Sequence, residues 1–139
     1  MEIEVKKLNN KAILPKKMHD GDAAMDLYSI ENINFKEKEI KSVSTGISLS
    51  IPIGYWGNIR DRSGLAFKHG LHTLAGVVDS NYRGEIKVVI INLGKEYNIK
   101  IGDRIAQLLI QKTETVKLKE VDNLNNTERG SENFGHSGY

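Results

Sequence analysis

The residues best suited to chemistry lie in a polar stretch, 79–84, that separates two apolar runs. The order apolar, polar, apolar predicts a β-hairpin whose loop is longer than two residues. Asp79 directly follows the first run, so we expect it at the rim of a strand, where a carboxylate could activate an attacking water. Tyr82 lies in the turn itself, where stability does not require an aromatic ring, which suggests that something flat packs against it. The alternative is a structural hairpin whose tyrosine covers the edge of the core.

A second candidate is the triplet Arg62-Ser63-Gly64, which opens the best predicted helix of the chain. Ser63 is expected as the N-cap, and residues 68–70 supply a basic last turn and a glycine stop. The N–H groups at a helix start carry partial positive charge, so a guanidinium and a hydroxyl beside them would complete a cradle for phosphate. The commoner alternative is an ordinary capping serine beside a surface arginine.

Polar residues also interrupt two apolar segments. Asp26 stands between Met25 and Leu27, where a carboxylate needs a partner, so it is either a functional acid or a structural salt bridge or turn acceptor. Arg104 opens a predicted strand, and Gln107 is a polar residue on an otherwise apolar one. Either side chain could point into a site, and the alternative is a strand start with one solvent-facing amide.

The apolar pattern stops at residue 122, so residues 122–139 are predicted to form a mobile arm. Arg129 offers a charge for phosphate, Phe134 offers a face for stacking on a base, and several glycines give the backbone freedom. An arm that orders over a ligand would need these residue types, whereas a disordered end is the alternative. His69 and His72 are close in sequence, but the predicted helix ends between them, and we interpret them as loop histidines rather than metal ligands.

The elements predicted to position these groups are mostly short strands. Strands are predicted at residues 2–6, 23–28, 47–53 (with Pro52 at a sheet edge or strand end), 55–59, 73–78, 86–93, 103–111 and 116–121. A polar connection or exposed hairpin is expected at 29–41. Residues 86–93 are apolar on both faces, which predicts burial on both sides, either in a core or against a neighbouring subunit. Many short strands without β-α-β alternation predict an all-β sandwich or barrel.

The composition bounds the class of protein. The 139 residues fit one domain, which we divide into a β domain at 1–121 and the arm. The net charge of +2 is too small to favour duplex nucleic acid or an acidic membrane as a partner. The absence of cysteine excludes disulfides and thiolate metal sites and fits a reducing compartment. The start carries no secretory apolar region, and the longest strongly apolar run, 88–91, is far shorter than the roughly 20 residues that span a bilayer.

Five stretches, taken in order, resemble the motifs of the homotrimeric deoxyuridine triphosphatases (dUTPases). They are Ala23-Ala24-Met25-Asp26-Leu27, Arg62-Ser63-Gly64-Leu65-Ala66, Gly76-Val77-Val78-Asp79-Ser80-Asn81-Tyr82-Arg83-Gly84, Gly102-Asp103-Arg104-Ile105-Ala106-Gln107-Leu108, and Arg129-Gly130-Ser131 with Phe134-Gly135. Each motif is weak alone, but all five with order and spacing intact are highly specific and override the alternatives above. The resemblance implies an all-β, jelly-roll-like barrel or sandwich with one short helix and a mobile arm. It further implies a homotrimer with sites at subunit interfaces, which cleaves dUTP to dUMP and pyrophosphate with Mg²⁺.

The matching positions imply a role for each site residue. Asp79 would orient or deprotonate the attacking water, and Tyr82 would pack on the deoxyribose and exclude a 2′-hydroxyl. The backbone of 76–78 would pair with uracil and leave no room for the methyl group of thymine. Asp26 and Arg104 would be support residues near the metal or the interface, and Mg²⁺ would be held mainly by the triphosphate and water. The substrate-binding residues, several of them from neighbouring subunits, would be Arg62, Ser63, Gly64, Gly76, Val77, Val78, Tyr82, Lys87, Gln107, Arg129, Phe134 and Gly135. Such an enzyme is expected in the cytoplasm, or in the nucleus or a host cell if its source is eukaryotic or viral.

The chain departs from the usual dUTPase motifs at four places. Asp61 stands where the family usually has proline, which we expect to loosen the turn and bring negative charge near the phosphates. Ala24 replaces a glycine of the first motif. In the arm, Glu132-Asn133 replaces two glycines and His136-Ser137 replaces Ser-Thr. The arm changes should stiffen the closing loop and add an acid beside a polyanion, so we expect a higher KM rather than loss of activity.

Two other functions are compatible with this kind of fold. A non-catalytic dUTPase-like trimer could serve as a regulatory binding protein, but the presence of both Asp79 and Tyr82 favours the enzyme. A related nucleotide deaminase would need an additional catalytic glutamate in a hairpin motif of different sequence, and this chain offers no support for that function.

Overall fold

Apolar side chains from ten of the strands converge on one core, and Phe35, Leu27, Ile47 and Ile90 are among its fully buried members. The computed structural model describes residues 1–132. Within them the strands are β1 (Glu4–Lys7), β2 (Met25–Tyr28), β3 (Ile33–Phe35), β4 (Ile40–Ser44), β5 (Ile47–Ser50), β6 (Tyr55–Arg60), β7 (Leu71–Leu74), β8 (Val77–Val78), β9 (Lys87–Asn92), β10 (Tyr97–Ile99) and β11 (Arg104–Lys112), and the helix is α1 (Ser63–His69). The all-β class with one short helix is confirmed.

The strands form four antiparallel sheets around this core. The larger two have the orders β2-β11-β6-β8 and β4-β9-β7, and the smaller two are the pairs β1-β5 and β3-β10. Because none of these sheets closes on itself within residues 1–132, the architecture is a jelly-roll-like sandwich rather than a closed barrel. Most of the predicted strands are present, with ends displaced by up to three residues, and Pro52 lies just beyond the end of β5.

The predicted hairpin at 73–91 is only partly correct. Its outer arms do pair, since β7 runs antiparallel to β9 with Leu74 opposite Val89. Val77 and Val78 instead join the other large sheet as β8, beside β6. The switch occurs at Ala75 and Gly76, whose φ angles of 60° and 106° reverse the chain between the two sheets. The polar loop therefore connects two sheets rather than two arms of one hairpin.

Two predicted segments differ from the structure. Residues 29–41 form no exposed hairpin, because β3 pairs with β10 while β4 pairs with β9, and each strand anchors a buried side chain, Phe35 or Val43. Residues 116–121 form no strand, and Leu118 is 95% exposed. No strand edge among residues 1–132 pairs with this segment, so its backbone lacks the partners that a strand requires.

In a single chain β9 is buried on one face only, so its burial against a neighbouring subunit stays a prediction, whereas the predicted N-cap of α1 is wrong. Val88 and Ile90 of β9 point into the core, whereas the alternate residues, 89 and 91, are only half-buried in a single chain. The N-cap of α1 is Arg62, in extended conformation, and Ser63 is already the first helical residue. The serine side chain therefore forms no capping hydrogen bond, while Gly70 ends the helix with a φ of 70° as predicted.

Candidate active site

A pocket of about 260 Å³ opens beside Asp79 at the junction of the two large sheets. Six of the residues that the sequence analysis assigned to the site line it: Gly76, Val77, Val78, Asp79, Tyr82 and Lys87. Ile59, Leu74 and Ile86 contribute apolar walls, and Glu85 adds a second carboxylate. The pocket thus combines the backbone of an edge strand, one ring and two acids, which suits a flat polar ligand.

The turn at Gly76 forms one wall of this pocket and is tied to β6. The N–H of Ile59 donates to the carbonyl oxygen of Gly76 at 2.8 Å. A Cβ at position 76 would lie 2.6 Å from the carbonyl oxygen of Ile59, and the φ of 106° is one that side-chain-bearing residues rarely adopt. Only glycine can therefore bring this backbone so close to β6.

Tyr82 is held over the pocket by its own loop. Its N–H donates to the carbonyl oxygen of Asp79 at 3.1 Å, and its hydroxyl donates to the carbonyl oxygen of Glu85 at 3.0 Å. The ring packs so closely on Gly84 that a Cβ there would overlap the Tyr82 hydroxyl and lie 2.6 Å from Cζ. With 46% of its surface still exposed, the ring is fixed in place but open to a ligand.

The corner between β4 and β5, together with the start of β5, anchors the far end of the same loop. The hydroxyl of Ser48 donates to the carbonyl oxygen of Arg83 at 2.7 Å, and the Thr45 hydroxyl donates to the carbonyl oxygen of Ile86. The Glu85 carboxylate accepts the N–H of Gly46 at 2.9 Å. Its other oxygen lies 3.6 Å from Nζ of Lys87. These contacts fix the loop to the core, which accounts for a preformed pocket.

A second group of polar residues surrounds Asp26, whose side chain is 5% exposed. Nε of Arg62 donates to Oδ1 of Asp26 at 3.0 Å, and Nη1 of Arg104 donates to Oδ2 at 3.3 Å. Arg62 also donates from Nη1 to the carbonyl oxygen of Arg104 at 3.2 Å. Asp26 is therefore the buried carboxylate of a three-residue ion-pair network, and Arg62 is the member that leads into α1.

Neighbouring strands add further polar groups to this second cluster. On β11, Gln107 lies opposite Asp26 of β2 and opposite Arg60 of β6, so all three side chains share one face of the sheet. The hydroxyl of Tyr28 is buried and has no hydrogen-bond partner among the described residues. Burial raises the pKa of Tyr28, and the nearby charge of Asp26 raises it further. The cluster therefore joins cations, an amide and an unpaired hydroxyl.

The two groups are separate within one chain. The pocket beside Asp79 is lined by none of the residues assigned to phosphate binding or support in the other motifs, namely Arg62, Ser63, Gly64, Gln107, Asp26 and Arg104. Ser63 and Gly64 are exposed at the start of α1. Arg129 is exposed in a segment without helix or strand, and Phe134 and Gly135 lie outside the described residues. Their assigned roles remain predictions.

The described residues contain no group of three or more His, Cys, Asp or Glu side chains that could hold a metal ion. Asp26, the acid expected near the metal, already binds two guanidinium groups. This donor set fits an Mg²⁺ ion that arrives with phosphate oxygens and water as its ligands, with protein carboxylates only nearby. No membrane-spanning helix is found among residues 1–132, where α1 has only seven residues.

Asp61 makes contacts that its place in the sequence did not predict. Instead of loosening its turn, the Asp61 carboxylate accepts hydrogen bonds from Thr73 and contacts Nδ1 of His72 at 2.7 Å. The turn is thereby fastened to β7, because the N–H and hydroxyl of Thr73 and Nδ1 of His72 all contact this carboxylate. The partners are eleven and twelve positions away in sequence, and only the pairing of strands brings them together. Glu85 was missed as well, because its backbone and Lys87 contacts carry no sequence motif.

Comparison with known proteins gives a consistent result. The family model described as dUTPase matches residues 10–138. The deoxyuridine 5′-triphosphate nucleotidohydrolase of Clostridium kluyveri is 48% identical over 141 residues, which covers 99% of each chain. A mutant dUTPase of Staphylococcus bacteriophage 80alpha, solved with dUpNHpp, has a TM-score of 0.94 at 30% identity and 99% coverage of both chains. A mutant dUTPase of phage phi11 of S. aureus, described with a structural Mg(II) ion, has a TM-score of 0.85 at 27% identity, covering 91% of this chain and 100% of its own.

Proposed function

The chain belongs to the dUTPase family, and we propose on this basis that it hydrolyses dUTP to dUMP and pyrophosphate. The reaction removes a nucleotide that would place uracil in DNA, and it supplies dUMP for thymidylate synthesis. The pocket beside Asp79 is the observation that supports this most directly, because five residues of the third motif, together with Lys87, line one cavity. The curated relatives are nucleotidohydrolases, and nothing in the comparisons favours a non-catalytic regulatory trimer.

Uracil and deoxyribose are the parts of the substrate that suit this pocket. β8 is an edge strand, so one side of its backbone can offer the hydrogen-bonding groups that a uracil edge requires, and we propose that the cavity leaves no room for an added methyl group. Tyr82, fixed against Gly84, presents its ring to the sugar and leaves little space for a 2′-hydroxyl. Selectivity for dUTP over dTTP and UTP would then come mainly from shape.

Asp79 acts on the water in this mechanism. It is exposed at the pocket rim, directly after β8, where its carboxylate can accept a proton from a bound water. The water oxygen forms a bond to the α-phosphorus while the bond from that phosphorus to the α,β-bridging oxygen breaks. The proton passes to Asp79, and pyrophosphate departs with the bridging oxygen.

The triphosphate requires positive charge and alignment rather than protein covalency. Arg62, Ser63, Gly64 and Gln107 would contact phosphate oxygens, while Asp26 and Arg104 hold the Arg62 guanidinium in place. Mg²⁺, when bound to the triphosphate, would neutralise charge that develops on the phosphate oxygens. Arg129, Phe134 and Gly135 would close over the γ-phosphate and the base from the arm.

We further propose a homotrimer in which each site draws on several subunits. The separation of the Asp79 pocket from the Arg62 cluster in one chain supports this arrangement, since a single dUTP would need both. Apolar side chains of the segment after β11 also remain uncovered, with Val116 72% and Leu118 95% exposed. Exposed aliphatic groups at alternate positions suit a contact with another subunit. The intracellular location expected from the sequence belongs to the same proposal.

The activity is tested by supplying each nucleoside triphosphate with Mg²⁺ and following pyrophosphate and ammonia. Pyrophosphate from dUTP alone is the expected result, and ammonia from dCTP would indicate a deaminase instead. An Asp79→Asn variant should lose on the order of 100-fold or more in kcat. Asp20→Asn, at an exposed acid with no hydrogen bond among the described residues, is the matched control. Absence of any product from the unaltered protein would refute the proposed function.

Shared sites are tested by mixing two inactive variants, Asp79→Asn and Arg62→Ala, during refolding. If the two residues of a site come from different subunits, random mixing restores about a quarter of the sites. If both come from one subunit, no mixture gains activity above its components. Light scattering of the purified protein should show three chains per particle, and a stable monomer would exclude this arrangement.

A further inference from the structure

The turn between β6 and α1 is fastened to the opposite sheet by one carboxylate. Oδ1 of Asp61 accepts the N–H of Thr73 at 2.6 Å and the Thr73 hydroxyl at 2.5 Å, and Oδ2 lies 2.7 Å from Nδ1 of His72. His72 and Thr73 belong to β7, which is an edge strand of its sheet. We call these three residues, Asp61, His72 and Thr73, the Asp61 clasp.

The clasp holds an ionised acid. Burial by itself raises the pKa of Asp61, but the hydrogen bonds from the Thr73 hydroxyl, His72 and the Thr73 N–H outweigh it and leave the pKa below its usual value. The Asp61 side chain is 27% exposed and that of His72 is 52% exposed, so the two Thr73 bonds are partly shielded from solvent while the His72 contact is open to it. His72 is the titratable side chain in direct contact with Asp61 among residues 1–132, and the nearest other charges along the chain are Arg60 and Arg62.

The direction of the Asp61 side chain matters for its two neighbours. An acid between Arg60 and Arg62 could neutralise either guanidinium, yet both carboxylate oxygens are occupied by β7. Arg62 is instead bound by Asp26 and the carbonyl oxygen of Arg104. Arg60 forms no ion pair within the described part of the chain and shares a sheet face with Gln107. The clasp therefore keeps both Asp61 oxygens bonded to β7 rather than to Arg60 or Arg62.

We propose that Asp61 is a positioning residue, whose clasp to β7 sets the turn from which Arg62 and Ser63 reach the substrate phosphates. The inference rests on the proposed function for the identity of that substrate. Asp61 itself contacts no phosphate and acts through the backbone of its turn. Loss of the clasp lets the turn move and frees the carboxylate to pair with an adjacent arginine, and both effects weaken the hold on phosphate.

Asn and Ala replacements separate the geometry of the clasp from its charge. In Asp61→Asn, Oδ1 can still accept both Thr73 bonds, and Nδ2 can donate to the Nδ1 of a neutral His72. When His72 is protonated, two donors face each other and the contact becomes repulsive. Asp61→Ala removes all three bonds at any pH.

The experiment compares kcat and KM for dUTP with Mg²⁺ across about pH 6 to 8, the range in which histidine ordinarily changes charge. Asp61→Ala should lower kcat/KM by roughly 10- to 100-fold throughout, as expected for misplaced binding groups. Asp61→Asn should keep most of the activity at the alkaline end and lose it towards the acid end, relative to the unaltered protein at each pH. Adding His72→Gln to Asp61→Asn should abolish this acid loss, and Asp20→Asn should behave as unaltered protein throughout.

Amide hydrogen exchange does not depend on turnover, so it tests this inference separately from the proposed function. The amide of Thr73 should exchange slowly with solvent in the unaltered protein and in Asp61→Asn at the alkaline end, and faster in Asp61→Ala. Faster exchange without any change in kcat/KM would mean that the clasp is only structural, and the positioning role would be wrong. An acid loss in Asp61→Asn that survives the His72→Gln change would also overturn it. If Asp61→Ala does not fold, the pH comparison of the Asn variants still decides.

Discussion

Nε of Arg62 donates to the buried carboxylate of Asp26 at 3.0 Å, although the two residues are 36 positions apart in the chain. Asp26 enters from β2 and Arg62 from the end of the β6–α1 turn, so the ion pair connects the first two motifs directly. Arg104, from the fourth motif, binds the other oxygen of the same carboxylate. Three motifs that look independent in sequence are therefore one electrostatic unit in the fold.

This unit predicts the effect of Asp26→Asn. The amide keeps the shape of the side chain but removes the negative charge that two guanidinium groups share, and its Nδ2 would face a donor. We expect the free energy of unfolding to fall by about 3 kcal/mol, the usual cost of breaking a buried ion pair. Urea unfolding at fixed protein concentration measures it, and KM for dUTP should rise because Arg62 is no longer held.

The control for this change is Asp20→Asn, because Asp20 is exposed and makes no hydrogen bond among the described residues. A double-mutant cycle with Arg62→Ala should show strong coupling, since the two side chains are in direct contact. A loss of less than about 0.5 kcal/mol, as for a typical surface change, would show that the network does not stabilise the fold.

The motifs could be recognised from the sequence because each has local residue types and a fixed order. Their division into two groups could not, because it depends on strand pairing. Val77 and Val78 look like part of a hairpin in sequence, but the positive φ angles at Ala75 and Gly76 send them to the other sheet. Likewise, the alternation at 116–121 predicts a strand, yet a strand also needs a neighbour, which alternation cannot supply.

The contact between Gly84 and Tyr82 predicts a specificity change. A Cβ at position 84 would lie 2.6 Å from Cζ of Tyr82, so Gly84→Ala must displace the ring that we propose to pack on the sugar. We expect the ratio of kcat/KM for dUTP to that for UTP to fall on the order of tenfold, since steric exclusion of a hydroxyl rarely exceeds ~10². Rates with both nucleotides measure this ratio.

Tyr82→Phe provides the comparison for this prediction. It removes the hydroxyl that donates to Glu85 but keeps the ring, so discrimination against UTP should largely persist. Should Gly84→Ala retain full discrimination while Tyr82→Phe loses it, the hydroxyl rather than the ring position would set the preference, and the prediction would be wrong.

The buried hydroxyl of Tyr28 predicts a response to alkaline pH. Burial, together with the charge of Asp26, raises the pKa of Tyr28 above its ordinary value of 10.0. As the pH rises past 10.0, Tyr28 loses its proton in the unfolded chain before it does so in the folded chain. The free energy of unfolding therefore falls between pH 10.0 and the raised pKa of Tyr28. Tyr28→Phe should flatten this alkaline decline, although Tyr97, whose pKa burial and Asp103 also raise, will still contribute.

At neutral pH, Tyr28→Phe should be neutral or slightly stabilising, because the hydroxyl has no partner among the described residues. Thermal unfolding at about pH 7 and pH 10.5 measures both effects. A loss above about 1 kcal/mol at neutral pH would mean that the hydroxyl is paired in the assembled protein, contrary to this prediction.

The arm supplies the last prediction, which concerns Glu132 and Asn133. Glycine at these positions would restore backbone freedom and remove an acid that lies close in sequence to Arg129, the proposed phosphate contact. We expect the change of Glu132-Asn133 to Gly-Gly to lower KM for dUTP roughly threefold, with kcat little altered, if closure supplies binding energy.

Glu132→Gln removes only the charge, so comparing it with the Gly-Gly variant separates the electrostatic part of the gain from the part due to flexibility. Steady-state kinetics at two salt concentrations measure both parts, because the electrostatic part should shrink as salt screens it. A Gly-Gly variant whose KM does not fall at either salt concentration would show that the arm sequence of this chain closes no less well than a glycine-rich one.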